Sequence, residues 1–239
     1  MSGRALVEKE FLSLLRGWKM VAFLAASGIL ASAFIYLISA DQRASSPAQN
    51  IETAGLFVSL QIVFCLGLFA SDIVSGGARD GTLQLHLLLP RRRSGILLAK
   101  LFPPILFYFI GAAFFSLVVA SIQNSPAFLE LWWARLAVDT LLFFALLFLV
   151  ALISVSSRGT SGPVLALVLL MLLLFFSPYL PMKLPFLNPV NPFSYEYDVM
   201  SDLGNGTLEN PSPAGILAAM LFLFAALAFI LMERKEVAD

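Results

Sequence analysis

A carboxylate inside an apolar run is the residue most able to do chemistry in this chain. Asp139 sits in Leu136-Ala137-Val138-Asp139-Thr140-Leu141-Leu142. An acid at membrane depth costs enough to mark an ion or proton path unless it is paired. Arg135 stands four residues earlier, where a helix puts the two side chains on one face. An i, i+4 ion pair near the outer end of the helix therefore accounts for Asp139 without transport chemistry. No second buried charge completes a proton relay. The neighbouring Trp132-Trp133 pair offers flat surfaces for a hydrophobic ligand such as haem, but tryptophan at a membrane interface explains it more cheaply.

Other chemistry is scarce. The chain has one histidine, His86, and one cysteine, Cys65, so no His/Cys metal cluster can form and no intrachain disulfide exists. No Gly-x-x-x-x-Gly-Lys-Ser/Thr sequence is present, which excludes ATP binding through a P-loop of its own. The opening residues are too charged for the apolar core of a signal peptide.

The elements that position these residues are membrane helices. The chain is 59% hydrophobic and 13% charged, with a mean hydropathy of +0.89. Soluble domains have about 45–50% apolar and about 25% charged residues. The formal net charge is zero, so nothing points to nucleic acid. Six segments meet the length of about 20 apolar residues that a spanning helix needs: 20–40, 54–74, 96–120, 134–155, 162–180 and 213–232. Pro103-Pro104 is expected to kink or locally break the third. Before the first, residues 4–17 alternate apolar and charged positions at helical spacing, as an amphipathic helix lying in the interface does.

Lysine and arginine set the orientation. With six crossings and an inside N-terminus, Arg4, Lys9, Arg16, Lys19, Arg79, Arg91, Arg92, Arg93, Lys100, Arg158, Arg234 and Lys235 are cytoplasmic. Only Arg43, Arg135 and Lys183 fall outside. This asymmetry places both termini in the cytoplasm. The outer loop 121–133 ends in the two tryptophans. The last outer segment, 181–212, is broken by Pro181, Pro185, Pro189 and Pro192 into pieces too short to span, and its apolar and aromatic content suggests re-entry toward the bilayer.

One cytoplasmic stretch is more than a positive loop. Between the second and third spans runs Gly81-Thr82-Leu83-Gln84-Leu85-His86-Leu87-Leu88-Leu89-Pro90-Arg91-Arg92-Arg93. Thr82 can cap a short helix, Leu83, Leu85, Leu87 and Leu88 supply apolar contacts, and Pro90 ends it before three arginines. A solvated loop does not require a leucine-rich helix at that place, so 78–90 reads as a docking element.

This segment resembles the coupling segment of ABC-2-type ABC transporter permeases, in which Gly-Thr-Leu and Leu-Leu-x-Pro precede basic residues and a lysine. The matching residues are Gly81, Thr82, Leu83, Leu87, Leu88, Pro90, Arg92, Arg93 and Lys100. Glu8-Lys9-Glu10-Phe11 and the run Leu184 to Tyr197 are similar to the family's interfacial helix and its proline-rich outer element, so the resemblance covers nearly the whole chain. It departs before the Gly-Thr, where the family has acids and this chain has Ser75, Gly76, Gly77, Arg79 and Asp80, and at Gln84, where the family has Glu.

The resemblance implies an all-α polytopic membrane protein with six transmembrane helices, an N-terminal interfacial helix, a coupling helix between helices 2 and 3 and a re-entrant outer element between helices 5 and 6. It implies an inner (cytoplasmic) membrane permease without catalysis of its own. A cytoplasmic ABC ATPase, holding ATP and magnesium, would dock on the coupling segment, and a second copy or a related permease would complete a dimer. The outer gate would include Pro189, Asn191, Pro192 and Tyr195, with Trp132, Trp133 and Asp139 as candidate pathway residues. An alternative within the architecture is a membrane subunit that relays ATPase motion to an extracytoplasmic partner without moving solute. An ion-coupled secondary transporter needs more buried charge than the sequence displays.

Overall fold

The computed structural model describes residues 12, 17–40, 47–70, 93–122, 126–156, 161–177, 188–204 and 212–234. The docking segment 78–90 and, apart from Leu12 and Gly17, the interfacial helix 4–17 lie outside the described residues.

Apolar sequence in lipid must satisfy its own backbone, and helices do so within one segment. The described residues form seven α-helices and no strand: α1 Trp18–Ala40, α2 Pro47–Cys65, α3 Arg93–Ile122, α4 Pro126–Ser156, α5 Ser161–Phe175, α6 Pro192–Gly204 and α7 Ser212–Arg234. A π-helical turn, Leu66–Ala70, continues α2, and a 3-10 turn, Asn188–Val190, precedes α6. Among the described residues, five segments are long and apolar enough to cross a bilayer, within α1, α2 with its π turn, α3, α4 and α7. The protein is an all-α polytopic membrane protein.

Four expectations change in detail. The fifth apolar segment is helical only over the 15 residues of α5, about 22 Å at 1.5 Å per residue, short of a hydrocarbon core of about 30 Å. A turn follows at Phe176 and Ser177, whose amides donate to the Leu172 and Leu174 carbonyls. Second, α3 is not broken at Pro103-Pro104: one helix of 30 residues runs through both, and both are buried. Neighbouring helices hold it there, and the Cys65 thiol of α2 donates to the Pro104 carbonyl at 3.5 Å. Third, the loop expected over 121–133 is mostly helix. Pro126 opens α4, where its missing N–H costs nothing, and two further turns precede the point at which the apolar run suggested a start. Fourth, Arg135, counted on the outer side, is fully buried within α4.

α4 is the central helix. α7 packs along it most extensively, and α2, α5 and α6 also contact it. α1 and α2 pack together and both rest on α3. Stacked rings fix these contacts: Phe69 on Phe107 (centroids 4.2 Å, interplanar 4°) and Tyr108 on Phe143 (4.0 Å, 7°). The outer faces of α1, α5 and α7 expose Val21, Ile29, Val164, Phe222 and Leu223, as helices facing lipid do.

A buried charge cluster between three helices

Asn191 sets the geometry of α6. Its side-chain oxygen accepts from the Phe193 amide at 3.1 Å, its carbonyl accepts from the Ser194 amide at 3.0 Å, and Pro192 follows at the first helical position. This is a helix N-cap with proline at N1. The Asn191 amide donates to the Leu173 carbonyl of α5 at 2.9 Å, satisfying a carbonyl near that helix's C-terminus. One fully buried asparagine thus joins two helices. Tyr195 donates its hydroxyl to the Pro189 carbonyl at 2.8 Å and closes the turn that leads into α6.

So placed, α6 directs Glu196 at α4. The Arg135 guanidinium meets Asp139 edge-on, with Nε donating to Oδ2 and Nη2 to Oδ1, each at 3.2 Å. Nη2 also donates to Glu196 Oε1. All three side chains are fully buried. The i, i+4 pair foreseen from spacing is present, but in the protein interior rather than at an exposed helix end, and it has a third member. Glu196 lies in the outer segment rather than in an apolar run, so counting acids within the spans passed over it. The signal available was Tyr195-Glu196-Tyr197, an acid between aromatics in a segment expected to re-enter the bilayer.

The third wall is α2. A Cβ on Gly55 would overlap the guanidinium carbon and both terminal nitrogens of Arg135. Only a residue without a side chain lets α2 come this close. Beside the cluster, Thr140 donates to the Leu136 carbonyl at 2.7 Å. Its one proton being used, its oxygen accepts from Tyr108 of α3 at 3.1 Å.

The expected pathway residues separate. Trp132 is buried, donates through Nε1 to Ser116 Oγ at 3.2 Å and packs against Phe115. Trp133, about a third of a turn on, is 61% exposed. The two rings face different surroundings and form no shared cradle for a flat ligand. Asp139 and Asn191 lie in the interior, whereas Pro189 is exposed. Further along α6, burial raises the Asp198 carboxyl above the ordinary carboxylate range, and the Asp202 carboxylate adds to the rise. Among the described residues no group of three His, Cys, Asp or Glu could hold a metal ion.

At the opposite end, α3 and α7 cap one another. The Ser94 amide donates to Glu233 Oε1 at 2.9 Å, and Arg93 Nη1 donates to the Glu233 carbonyl at 3.1 Å. A carboxylate thus stands at the N-terminus of α3 and a cation at the C-terminus of α7, each favoured by the helix dipole. Arg93, the last of the residues expected to couple, is the first residue of α3. Gly81, Thr82, Leu83, Leu85, Leu87, Leu88, Pro90, Arg91 and Arg92 lie outside the described residues.

A family model described as ABC-2 type transporter matches residues 2–203. No curated protein matches the chain.

Proposed function

The chain belongs to the ABC-2 type transporter family, whose members are transmembrane permeases, and from that premise we propose that it exports a substrate from the cytoplasm or inner leaflet using ATP hydrolysed by a separate subunit. The match over residues 2–203 carries this reading, because it takes in the expected docking segment 78–90, the three arginines after it and four of the five long apolar helices found among the described residues. The ATPase docks on Leu83, Leu85, Leu87 and Leu88, with Arg91, Arg92 and Arg93 at the anionic leaflet. Two permease copies, or this chain and a relative, enclose the path in the inner membrane, with both termini cytoplasmic.

The packing supplies a route for the motion. Arg93 begins α3 directly after the docking segment, and its contact with Glu233 ties that end of α3 to α7. α7 lies along α4, and α4 holds α6 through Arg135 and Glu196. A push at 78–90 therefore reaches the outer element through contiguous helices. The outer segment 181–212 acts as the gate, hinged around Asn191.

Affinity purification of the tagged full-length protein from its native membrane, with identification of the retained subunits, tests this. Equal amounts of a P-loop ATPase are expected. Its absence would exclude an ATP-driven permease, and an additional envelope protein would favour relay of motion over transport.

A further inference from the structure

We propose that one water molecule is bound inside the junction of α1, α2 and α3, bridging the Ser27 hydroxyl and the Gln61 side-chain amide. This site depends neither on the charge cluster nor on what crosses the membrane.

Two aromatic layers frame the junction. Near the start of α1, Phe23 meets Phe69 of the π turn and Phe107 of α3, with ring centroids 5.6 and 5.9 Å apart. Further along α1, Phe34 meets Phe57 of α2 and Phe115 of α3 at 5.7 and 5.2 Å. Between these layers the buried positions of α1 are Ser27 and Ala31, on the same helical stripe as the two rings. Gly111 of α3 and Gln61 of α2 fall in the same interval. A Cβ on Gly111 would overlap Gln61 Nε2 and come within 2.8 Å of Phe23 Cζ. The Gln61 amide therefore lies on the α3 backbone beside Phe23, which Ser27 follows by one turn of α1.

Ser27 and Gln61 are each 5% exposed, yet neither Ser27 Oγ nor Gln61 Nε2 has a hydrogen-bond partner among the described residues. Other helix hydroxyls turn back on their own backbone. Ser32, Ser116 and Thr140 donate to the carbonyl four residues earlier, and Ser121 and Ser156 to the one three residues earlier. Ser27 makes no such bond, so its hydroxyl is left for another partner. Both residues stand at the middle of their spans, Trp18–Leu37 and Thr53–Ala70. At that depth no bulk water can satisfy them, and a buried amide or hydroxyl without a partner is costly.

Water suits these two groups. Gln61 Nε2 only donates, so its partner must accept, whereas the Ser27 hydroxyl can do either. One water accepts from Nε2 and exchanges a second hydrogen bond with Ser27 Oγ. Buried waters of this kind serve polar groups that the chain leaves unsatisfied. None of the residues framing the junction is charged, so the site offers an ion no counter-charge. Ala31 and Gly111 carry little or no side chain, while the ring layers close the interval at both ends. That shape favours an occupant of water's size over a longer one.

The test joins a high-resolution electron cryo-microscopy map of the full-length protein in lipid nanodiscs with thermal unfolding of variants. The map is expected to show one compact peak within hydrogen-bond distance of both Ser27 Oγ and Gln61 Nε2. Gln61→Met keeps the length of the side chain and removes its donors. Its melting temperature is expected to fall by about 2–4 °C, the shift that loss of one net hydrogen bond brings to a chain of this size. Ser27→Ala is expected to act likewise. The double variant is expected to recover toward wild type, because both polar partners then leave together. Ser59→Ala removes an unpartnered hydroxyl on the far side of α2, about 200° around the helix from Gln61, and its effect is expected to add to that of Gln61→Met without coupling. Melting temperatures that rise in both single variants and add in the double would overturn the proposal, since they would show two groups buried without a ligand. So would a map in which Ser27 and Gln61 bond directly, or one with the elongated density of a lipid or detergent chain between them.

Discussion

Arg135 and Glu196, 61 positions apart, form a fully buried ion pair that fastens α6 to the central helix α4. Breaking a buried pair from one side costs about 3–5 kcal/mol because the remaining charge keeps its burial without its partner. Arg135→Ala leaves two acids facing each other and is expected to be the most destabilising single change at this site. Arg135→Lys keeps the charge but cannot reach both carboxyl groups with a planar fork, so its melting temperature is expected to fall between wild type and Arg135→Ala. A melt of Arg135→Ala equal to wild type would show that the cluster does not hold α6.

Gly55 tests the same site from α2. Added carbon must displace the Arg135 guanidinium, and overpacking of this kind costs about 1–3 kcal/mol. Gly55→Ala is expected to lower the melting temperature and Gly55→Val to lower it further. In the Arg135→Ala background the penalty of Gly55→Ala is expected to shrink, because the obstructing atoms are gone. A double-mutant cycle measures that coupling.

Asn191 performs two tasks that substitutions can separate. Asn191→Asp keeps an oxygen for the Phe193 amide but loses the donor to the Leu173 carbonyl. Asn191→Ala loses both, and loss of the cap alone costs about 0.5–2 kcal/mol. Protease nicking within 181–212 is expected to rise from wild type to Asp to Ala.

The α3–α7 contact separates stability from coupling. The Glu233 carboxylate accepts from the Ser94 amide in an exposed bond, and a typical hydrogen bond contributes about 0.5–1.5 kcal/mol. Glu233→Ala is therefore expected to lower stability only slightly. If this contact passes motion from the docking segment to α7, the same variant reduces transport without releasing the ATPase. Replacing Leu87 and Leu88 with Asp is expected instead to release the ATPase while membrane insertion stays intact. Co-purification and transport assays on the two variants distinguish docking from transmission.

Asp198 gives a pH effect of its own. The folded state holds its proton more tightly than the unfolded chain does. Its contribution to stability is therefore complete below the ordinary carboxylate range and disappears as pH rises through the raised folded value. Asp198→Asn is expected to flatten the dependence of melting temperature on pH just above the ordinary carboxylate range.

The apolar spans, the family resemblance and the Arg135–Asp139 pair were all legible in the sequence, because each rests on residues close together along the chain. Hydropathy is summed over neighbours, and an i, i+4 pair follows from helical pitch alone. Helix ends were less legible, since Pro126 extends α4 outward through residues that read as a loop, and the long apolar segment after Ser161 becomes the short α5. The cap at Asn191-Pro192 is also local, yet its second bond, to Leu173, depends on where α5 ends. The closure of the charge cluster was decided by tertiary structure alone. Glu196 reads as an outer-loop acid and Gly55 as an ordinary helix glycine until α2, α4 and α6 are brought together. Which side chains then meet depends on the rotation of each helix about its axis and on its depth relative to its neighbours. The packing of the whole bundle sets both, and no window of sequence contains them.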